Sequence, residues 1–412
     1  LSAPMNVFGG EDGASRYTDI MIGTPSGADD TFWFKQDTGT VAELRSTLKL
    51  RDPSAWYHLV FVYDRTNGTA DDRMKMYVNG VQLTSFVTRT NVGSNVDSYV
   101  NTSGDNNYVG VYDGSSKWLD GYLCETTLID GTALTPTSFG EYNEDSPTIW
   151  QPIDVSGLTF GTNGFYLDFE DSSALGNDVS GNNNDFTVNN LTAIDQSTGT
   201  CTNNFATWNG VKPLTRGALS EGNLVFTGVS GNETTYSSIG ASSGKWYFEV
   251  KGTTNGDRMS VGCAQKFVQG DQHQQTTNTN GIGYDGVTGS LYVNNSDVAT
   301  YSTYSNTDII GVALDLDNRK IYFSVNGTWQ NSADPSAGSN GYSLPSNLTD
   351  EDFWFFAISD TYGSGATAWS ANFGSPQFSI SSGNSDPNGY GNFEYGTENF
   401  YALNTKNLAE YG

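Results

Sequence analysis

The sequence runs to 412 residues, with 46 acidic against 19 basic side chains and a formal net charge of -27. A field of that sign repels a phosphate backbone, which excludes nucleic acid as a partner, and no apolar run is long enough for a membrane-spanning helix, which excludes membrane insertion. Only 16% of residues are charged and 48 are glycine; short alternating apolar runs broken by Asn-Gly and Asp-Gly pairs predict an all-β chain of at least two domains.

Toward the N-terminus, WYHLVFVYD (56–64) and DRMKMYVNGVQL (72–83) read as strand, polar turn, strand and Asn-Gly turn. His58 keeps step with Val60 and Val62, the place of a hydrogen-bonded strand histidine rather than a catalyst. Short strands and Asp-Gly turns continue through NNYVGVYDGSSKWLDGYLCETTLIDGTAL (106–134). The order and spacing of Trp56-Tyr57-His58, Tyr77-Val78-Asn79-Gly80, Leu119-Asp120-Gly121-Tyr122-Leu123 and Leu128-Ile129-Asp130-Gly131 resemble the concanavalin A-like, laminin-G-type jelly roll. The resemblance implies an antiparallel sandwich over residues 1–158 whose usual first strand lies upstream of Leu1.

Residues 159–215 are rich in Asn, Asp, Ser and Gly and read as a connector, yet GFYLDFED and NDFTVNN within it have strand character. These two pieces are expected to pack onto the first sandwich, replacing its first strand or capping an edge. Asp178, Asn182, Asn184 and Asp185 are the candidate oxygen ligands for calcium, with Asp113 and Asp120 as a second pair. Their spacing matches no calcium loop, and side chains bonded to their own backbone in Asx turns are the competing reading.

From residue 216 to 378 the strand pattern resumes. Its DIIGVALDLDNRKIYFSVNG stretch (308–327) contains DLDN, which begins like an EF-hand loop, but Arg319, Lys320 and Asn326 stand at the fifth, sixth and twelfth positions, where an oxygen ligand, glycine and glutamate are needed. DLDN is therefore a hairpin turn between alternating runs, and Asn326-Gly327 is the next. SSGKWYFEV (242–250), MSVGCAQ (259–265), GIGYDGVTGSLYVNN (281–295), this hairpin and FWFFAISDTYGSGATAWSANFG (353–374) resemble a SPRY domain. The resemblance implies a second concanavalin A-like sandwich, so the expected fold is two such antiparallel sandwiches in tandem, followed by a C-terminal extension over 379–412.

Catalytic patterns are missing. The E-x-D-x-x-E and E-x-D-x-E strands of concanavalin-like glucanases do not occur; Asp168 and Glu170 share a strand face without a third carboxylate. His58 and His273 are the two histidines, too few for a triad or a zinc site, and no glycine run opens a phosphate-binding helix. Cys124, Cys201 and Cys263 are distant and odd in number, as isolated thiols would be.

Aromatic residues, 13% of the chain, point instead to binding. Those in or beside polar loops are Tyr112 and Trp118, which flank DGSSK with Asp113, and Tyr301, Tyr304, Trp329 and Tyr362. Such rings stack on sugar faces or fill protein epitopes, while Asn and Asp bond sugar hydroxyls; packing within the sandwich is the alternative for each. The order of the whole chain, through TNNFATWN and on to NFYALNTKNL, resembles large structural proteins of tailed bacteriophages, especially marine ones. It implies a non-enzymatic virion-surface protein of tail-fibre or spike type, assembled in the host cytoplasm and binding host-surface glycan or protein. The alternative is a capsid-decorating or filament-forming protein that contacts other virion proteins or copies of itself; a polysaccharide-degrading enzyme ranks behind both.

Overall fold

Asn-Gly pairs reverse the chain in both halves. Asn79 and Gly80 have φ of 48° and 78°, and Asn326 and Gly327 have 48° and 76°, the two positive values that a tight hairpin turn needs to match strand twist. The computed structural model describes residues 4–13, 16–24, 27–52, 55–144, 146–229, 232–254, 259–265, 281–345, 353–360, 367–396 and 399–412. Two units result, Leu1–Leu191 and Thr192–Gly412, both built of antiparallel sheets.

In the first unit the strands are β1 (Met5–Glu11), β2 (Tyr17–Thr24), β3 (Gly27–Asp37), β4 (Val41–Lys49), β5 (Leu59–Tyr63), β6 (Met74–Val78), β7 (Val81–Gln82), β8 (Phe86–Thr90), β9 (Asn106–Val109), β10 (Thr126–Leu128), β11 (Gly140–Tyr142), β12 (Trp150–Pro152) and β13 (Phe165–Leu167). A six-stranded sheet runs in the order β8-β4-β3-β2-β1-β9, and β5-β6-β7 form a second. Alternation turns Phe8, Ile20, Phe32, Phe34 and Leu44 of the first toward Met74, Met76 and Val78 of the second. Phe32 and Phe34 both meet Phe61 edge-on, at 4.9 and 5.5 Å.

The stretch after residue 158 belongs to this core. β13 pairs antiparallel with β10, and Phe165 reaches Phe8 at 5.8 Å and Phe186 at 4.9 Å. His58 accepts a hydrogen bond at Nδ1 from the Trp150 indole N–H, 2.9 Å away, and burial pushes its pKa down, so it is a neutral structural acceptor.

The second unit contains β14 (Gly217–Ser220), β15 (Val225–Gly228), β16 (Glu233–Tyr236), β17 (Lys245–Thr254), β18 (Met259–Ala264), β19 (Ile282–Asp285), β20 (Ser290–Val293), β21 (Ser296–Thr300), β22 (Ile309–Asp315), β23 (Lys320–Val325), β24 (Thr328–Trp329), β25 (Tyr342–Ser343), β26 (Phe355–Asp360), β27 (Thr367–Asn372), β28 (Tyr401–Ala402) and a C-terminal helix, α1 (Thr405–Tyr411). One sheet runs β14-β15-β27-β17-β22-β23-β24, with β25 on β23 and β28 on β17; the other runs β16-β26-β18-β19-β20-β21. Phe248 of the first meets Phe356 of the second at 4.4 Å, with Trp208 and Phe373 beside them. The DLDN turn joins β22 to β23, with Asp315 opposite Lys320.

The outer face of the larger sheet is covered by the chain's own end. Phe393, Phe400 and Ala402 bury Tyr247, Ala313 and Tyr322. Under them Glu249 accepts from Tyr247 Oη (3.1 Å), Asn372 Nδ2 (3.0 Å) and the backbone N–H groups of Glu394 (3.0 Å) and Tyr395 (2.5 Å). Asp386 holds the extension together, accepting from the N–H groups of Asn388, Tyr390 and Ala402 and from Asn407 Nδ2.

Two stability results follow from this packing. A chain ended at residue 158 loses Phe165, Leu167 and Phe186 from the first core and is expected to be insoluble or to unfold without cooperativity; a soluble, cooperative product in a urea titration would count against that role. In the second unit, Glu233 pairs with the buried Lys212 at 3.0 Å and accepts from Thr215 and Arg216. Burial pushes its carboxyl up, but the bonds from Thr215 and Lys212 outweigh that and hold it near about 2. Glu233→Ala leaves a buried ammonium unpaired and should cost about 3–5 kcal/mol in chemical denaturation.

Candidate functional site

The candidate site lies on the outer face of the first unit's six-stranded sheet, where β1 and β2 are roofed by residues 110–119. Because Ile20, Phe32 and Phe34 point into the core, Asp19, Met21, Trp33 and Lys35 turn outward. A bulge between Asn6 and Phe8 sets Asn6 opposite Met21 and Phe8 opposite Ile20, so one extra residue aims Asn6 at the outer face while Phe8 stays inside. Asn6 Nδ2 then donates to the Val111 carbonyl at 2.9 Å and to Asp19 Oδ1 at 3.4 Å. Both side chains are buried, with residue exposures of 1% for Asn6 and 3% for Asp19, and Asn6 Oδ1 and Asp19 Oδ2 have no hydrogen-bond partner.

The roof is fixed by backbone bonds. Gly110 N donates to Val7 O (2.9 Å), Asn6 N to Lys117 O (2.9 Å), Leu119 N to Gly110 O (2.8 Å) and Tyr112 N to Ser116 O (2.9 Å). Asp113 ties the tip, its Oδ1 accepting from Ser115 N (3.1 Å), Ser115 Oγ (2.9 Å) and Ser116 Oγ (3.0 Å). Lys117 takes a φ of 50°, uncommon for a side chain of its size. Its ammonium lies 3.4 Å from the centre of the Tyr112 ring. That ring meets Tyr17 edge-on at 5.7 Å, and the Tyr17 hydroxyl accepts from Lys35 Nζ at 2.6 Å. Trp118 follows directly and is 52% exposed, whereas the other eight tryptophans, all among the described residues, are buried or half-buried.

Burial dominates the electrostatics. It pushes the Asp19 carboxyl up to about 7 against the pull of Lys117 and the Asn6 hydrogen bond. The Lys117 ammonium is pushed down by burial, with Asp19 and Asp113 opposing. Asp113 is held low, its own burial outweighed by the hydrogen bonds from Ser115 and Ser116.

Of the aromatic candidates, Tyr112, Asp113 and Trp118 are thus gathered in one roof, with Trp118 as its outward ring. In the second unit Tyr301, Tyr304 and Trp329 pack internally. Tyr304 is 3% exposed; its hydroxyl lies 2.6 Å from Met259 O and 2.9 Å from Tyr284 O, and its ring touches Tyr284 and Trp369, so as a free binding ring it is corrected to a core residue. Tyr301 is half-buried against Tyr284 and Phe323. Trp329 packs against the Phe393–Phe400 cluster. Tyr362 and His273 lie outside the described residues.

The four calcium candidates are brought together, but as a clamp. Asp178 Oδ1 accepts from the N–H groups of Tyr166 (2.8 Å) and Ser180 (2.9 Å) and its Oδ2 from Asn184 N (2.9 Å), while Asp185 Oδ1 accepts from Asp178 N (2.8 Å). Asn182 and Asn184 both donate from Nδ2 to the Gly164 carbonyl. The Asp178 oxygens a cation would need are taken by N–H groups, and among the described residues no three His, Cys, Asp or Glu side chains converge as a metal centre. The Asx-turn reading accounts for this loop. Asp168 likewise accepts from the N–H of Glu170 at 3.1 Å.

Asn6, Asp19, Lys35 and Lys117 were not legible as site residues. The available signal was Asp19 within the apolar run YTDIMIG, a carboxylate where strand alternation alone explains nothing.

Comparison with known proteins gives two family matches. The profile described as the Concanavalin A-like lectin/glucanases superfamily matches residues 2–138, and the SPRY domain profile matches residues 245–337. No curated protein matches the chain. Among solved structures, the SPRY domain of human HERC1 is similar over 36% of this chain and 87% of that chain, at 18% identity and a TM-score of 0.29.

The buried carboxyls set a pH dependence with an unusual sign. Asp19, and Glu249 in the second unit, are raised to about 7, Glu249 by burial against the Tyr395 and Glu394 N–H groups. Between their ordinary range and 7 the folded chain binds protons that the unfolded chain has released, so their contribution is complete below pH 4 and fades as pH rises through 7. The first unit should lose roughly 2–4 kcal/mol from this source between pH 5 and 8, and Asp19→Asn should flatten that slope in denaturant titrations at the two pH values.

Proposed function

We propose that this chain, which carries a concanavalin A-like domain followed by a SPRY domain, is a non-enzymatic adhesin of a virion surface, of tail-fibre or spike type, that binds host-surface glycan or protein. Domains of these two kinds generally mediate protein or glycan binding and are typically non-catalytic. The reading of a virion rests on the order of the segments along the chain.

One observation carries the binding reading: Trp118 stands outward on a loop that is itself rigid. Leaving an indole in water forfeits up to roughly 2 kcal/mol of burial, and this one remains 52% exposed. Asp113 closes the loop tip and the backbone bonds of Asn6, Val7 and Gly110 fix its base, so a ligand meets a preformed ring rather than one it must order. A flat apolar ring of this kind suits the hydrophobic face of a pyranose or an apolar side chain on a host protein.

Trp118→Ala should weaken binding of the purified chain to host-range cells and to its best glycan by about tenfold or more, with the urea midpoint unchanged. Cells that bind the variant as well as the parent would refute the site. A folded parent that binds no cell or glycan would refute adhesion and favour the decorating or filament role, which sedimentation and virion labelling would then examine.

A further inference from the structure

We propose that Lys117 and Asn6 join through an intramolecular amide bond, formed under the carboxyl of Asp19, which ties the roof of residues 110–119 to β1. This inference is independent of the binding reading.

Three placements carry it. Asn6 and Lys117 are backbone neighbours through the 2.9 Å bond from Asn6 N to Lys117 O, and the bulge in β1 turns the Asn6 amide to the face that Lys117 covers. Asp19 lies directly against that amide, at 3.4 Å from Asn6 Nδ2. The oxygens that the reaction would use, Asn6 Oδ1 and Asp19 Oδ2, are buried and unpartnered, and the one close bond given up is that of the departing Asn6 Nδ2 to the Val111 carbonyl at 2.9 Å. Lys117 makes no close ion pair among the described residues; its ammonium rests on the Tyr112 ring, within electrostatic reach of Asp19. Gly9 supplies the remaining room, since a Cβ there would collide with Asp19 Oδ1.

The groups around Asp19 are Glu11 on β1, Tyr17 on its own strand, Lys35 on β3, and Tyr112, Asp113 and Lys117 on the roof. Asp113 is engaged by the two serines at the loop tip, and Glu11 accepts from Tyr108 Oη at 3.4 Å. Lys35 donates to Tyr17. Lys117 is thus the cation left to act on Asp19.

The chemistry balances without any other reactant. Burial favours transfer of a proton from the Lys117 ammonium to the Asp19 carboxylate, giving a neutral amine and a neutral acid. The amine lone pair attacks Asn6 Cγ while Asp19 donates a hydrogen bond to Oδ1. A proton then passes from the attacking nitrogen, through Asp19, to Nδ2; the Cγ–Nδ2 bond breaks and ammonia leaves. The released ammonia takes up the Asp19 proton and departs as ammonium, so Asp19 ends as the carboxylate it began as, and holding amine and amide in one site replaces the activation that amide formation otherwise requires.

Intact-mass spectrometry of the purified full chain tests this. The expected mass is below the sequence mass by one ammonia, and digestion should yield a branched peptide containing both residue 6 and residue 117. Lys117→Arg keeps the charge at the roof and should restore the full sequence mass; Asp19→Ala should do the same, with circular dichroism showing it folded. Since succinimides at Asn-Gly pairs also lose ammonia, the branched peptide decides. A parent at full sequence mass, ammonia loss without that peptide, or loss persisting in Lys117→Arg overturns the proposal.

Discussion

A β-sheet has two faces, and a two-sheet sandwich buries only one of each. What happens on the outer face governs much of the rest of this chain. In the first unit residues 110–119 roof β1 and β2; in the second Phe393, Phe400 and Ala402 cover the larger sheet. Each cover leaves a carboxyl beneath it, Asp19 in one case and Glu249 in the other, and each is pushed up to about 7 by burial. The two carboxyls are nevertheless satisfied to different degrees. Glu249 accepts four hydrogen bonds and acts as a fastening for the C-terminal extension. Asp19 has one weak partner and a free oxygen. A fully bonded buried group is structural by its own arithmetic, whereas a half-bonded one costs stability that no fold requirement explains. That difference directs attention to the first unit.

The features legible in the sequence are those set by neighbours along the chain. Alternation at Phe32 and Phe34, or at Ile310, Val312 and Leu314, states which side chains go inside, and the Asn-Gly pairs state where strands reverse. The motifs at Trp56–His58 and Tyr77–Gly80 identified the first domain, and the strands from Lys245 onward the second. His58 also behaved as its strand position implies, an acceptor for Trp150.

The site was less legible because it is made by contacts across distance. Asn6 and Lys117 lie more than a hundred residues apart, and Asn6 faces the roof only because of a bulge that alternation does not reveal. Tyr304 illustrates the opposite error: flanked by Ser and Thr it reads as a loop ring, yet two backbone carbonyls 20 and 45 residues away take it into the core. The Asp178 loop shows why acidic clusters mislead. A carboxylate that accepts from three backbone N–H groups has the composition of a cation site and the bonding of a turn.

Charge constrains any partner of this surface. With a net charge of -27 the chain as a whole repels the anionic polymers that coat many cells, so long-range steering works against encounter and more so at low salt. Contact must then come from short-range forces that salt does not screen: stacking on Trp118 and hydrogen bonds at the roof. Lys35 Nζ donates to the Tyr17 hydroxyl rather than to a carboxylate, so the local field differs from that of the whole molecule. An adhesive surface built this way discriminates at close range and gains little from attraction at a distance, which favours selectivity over speed of capture.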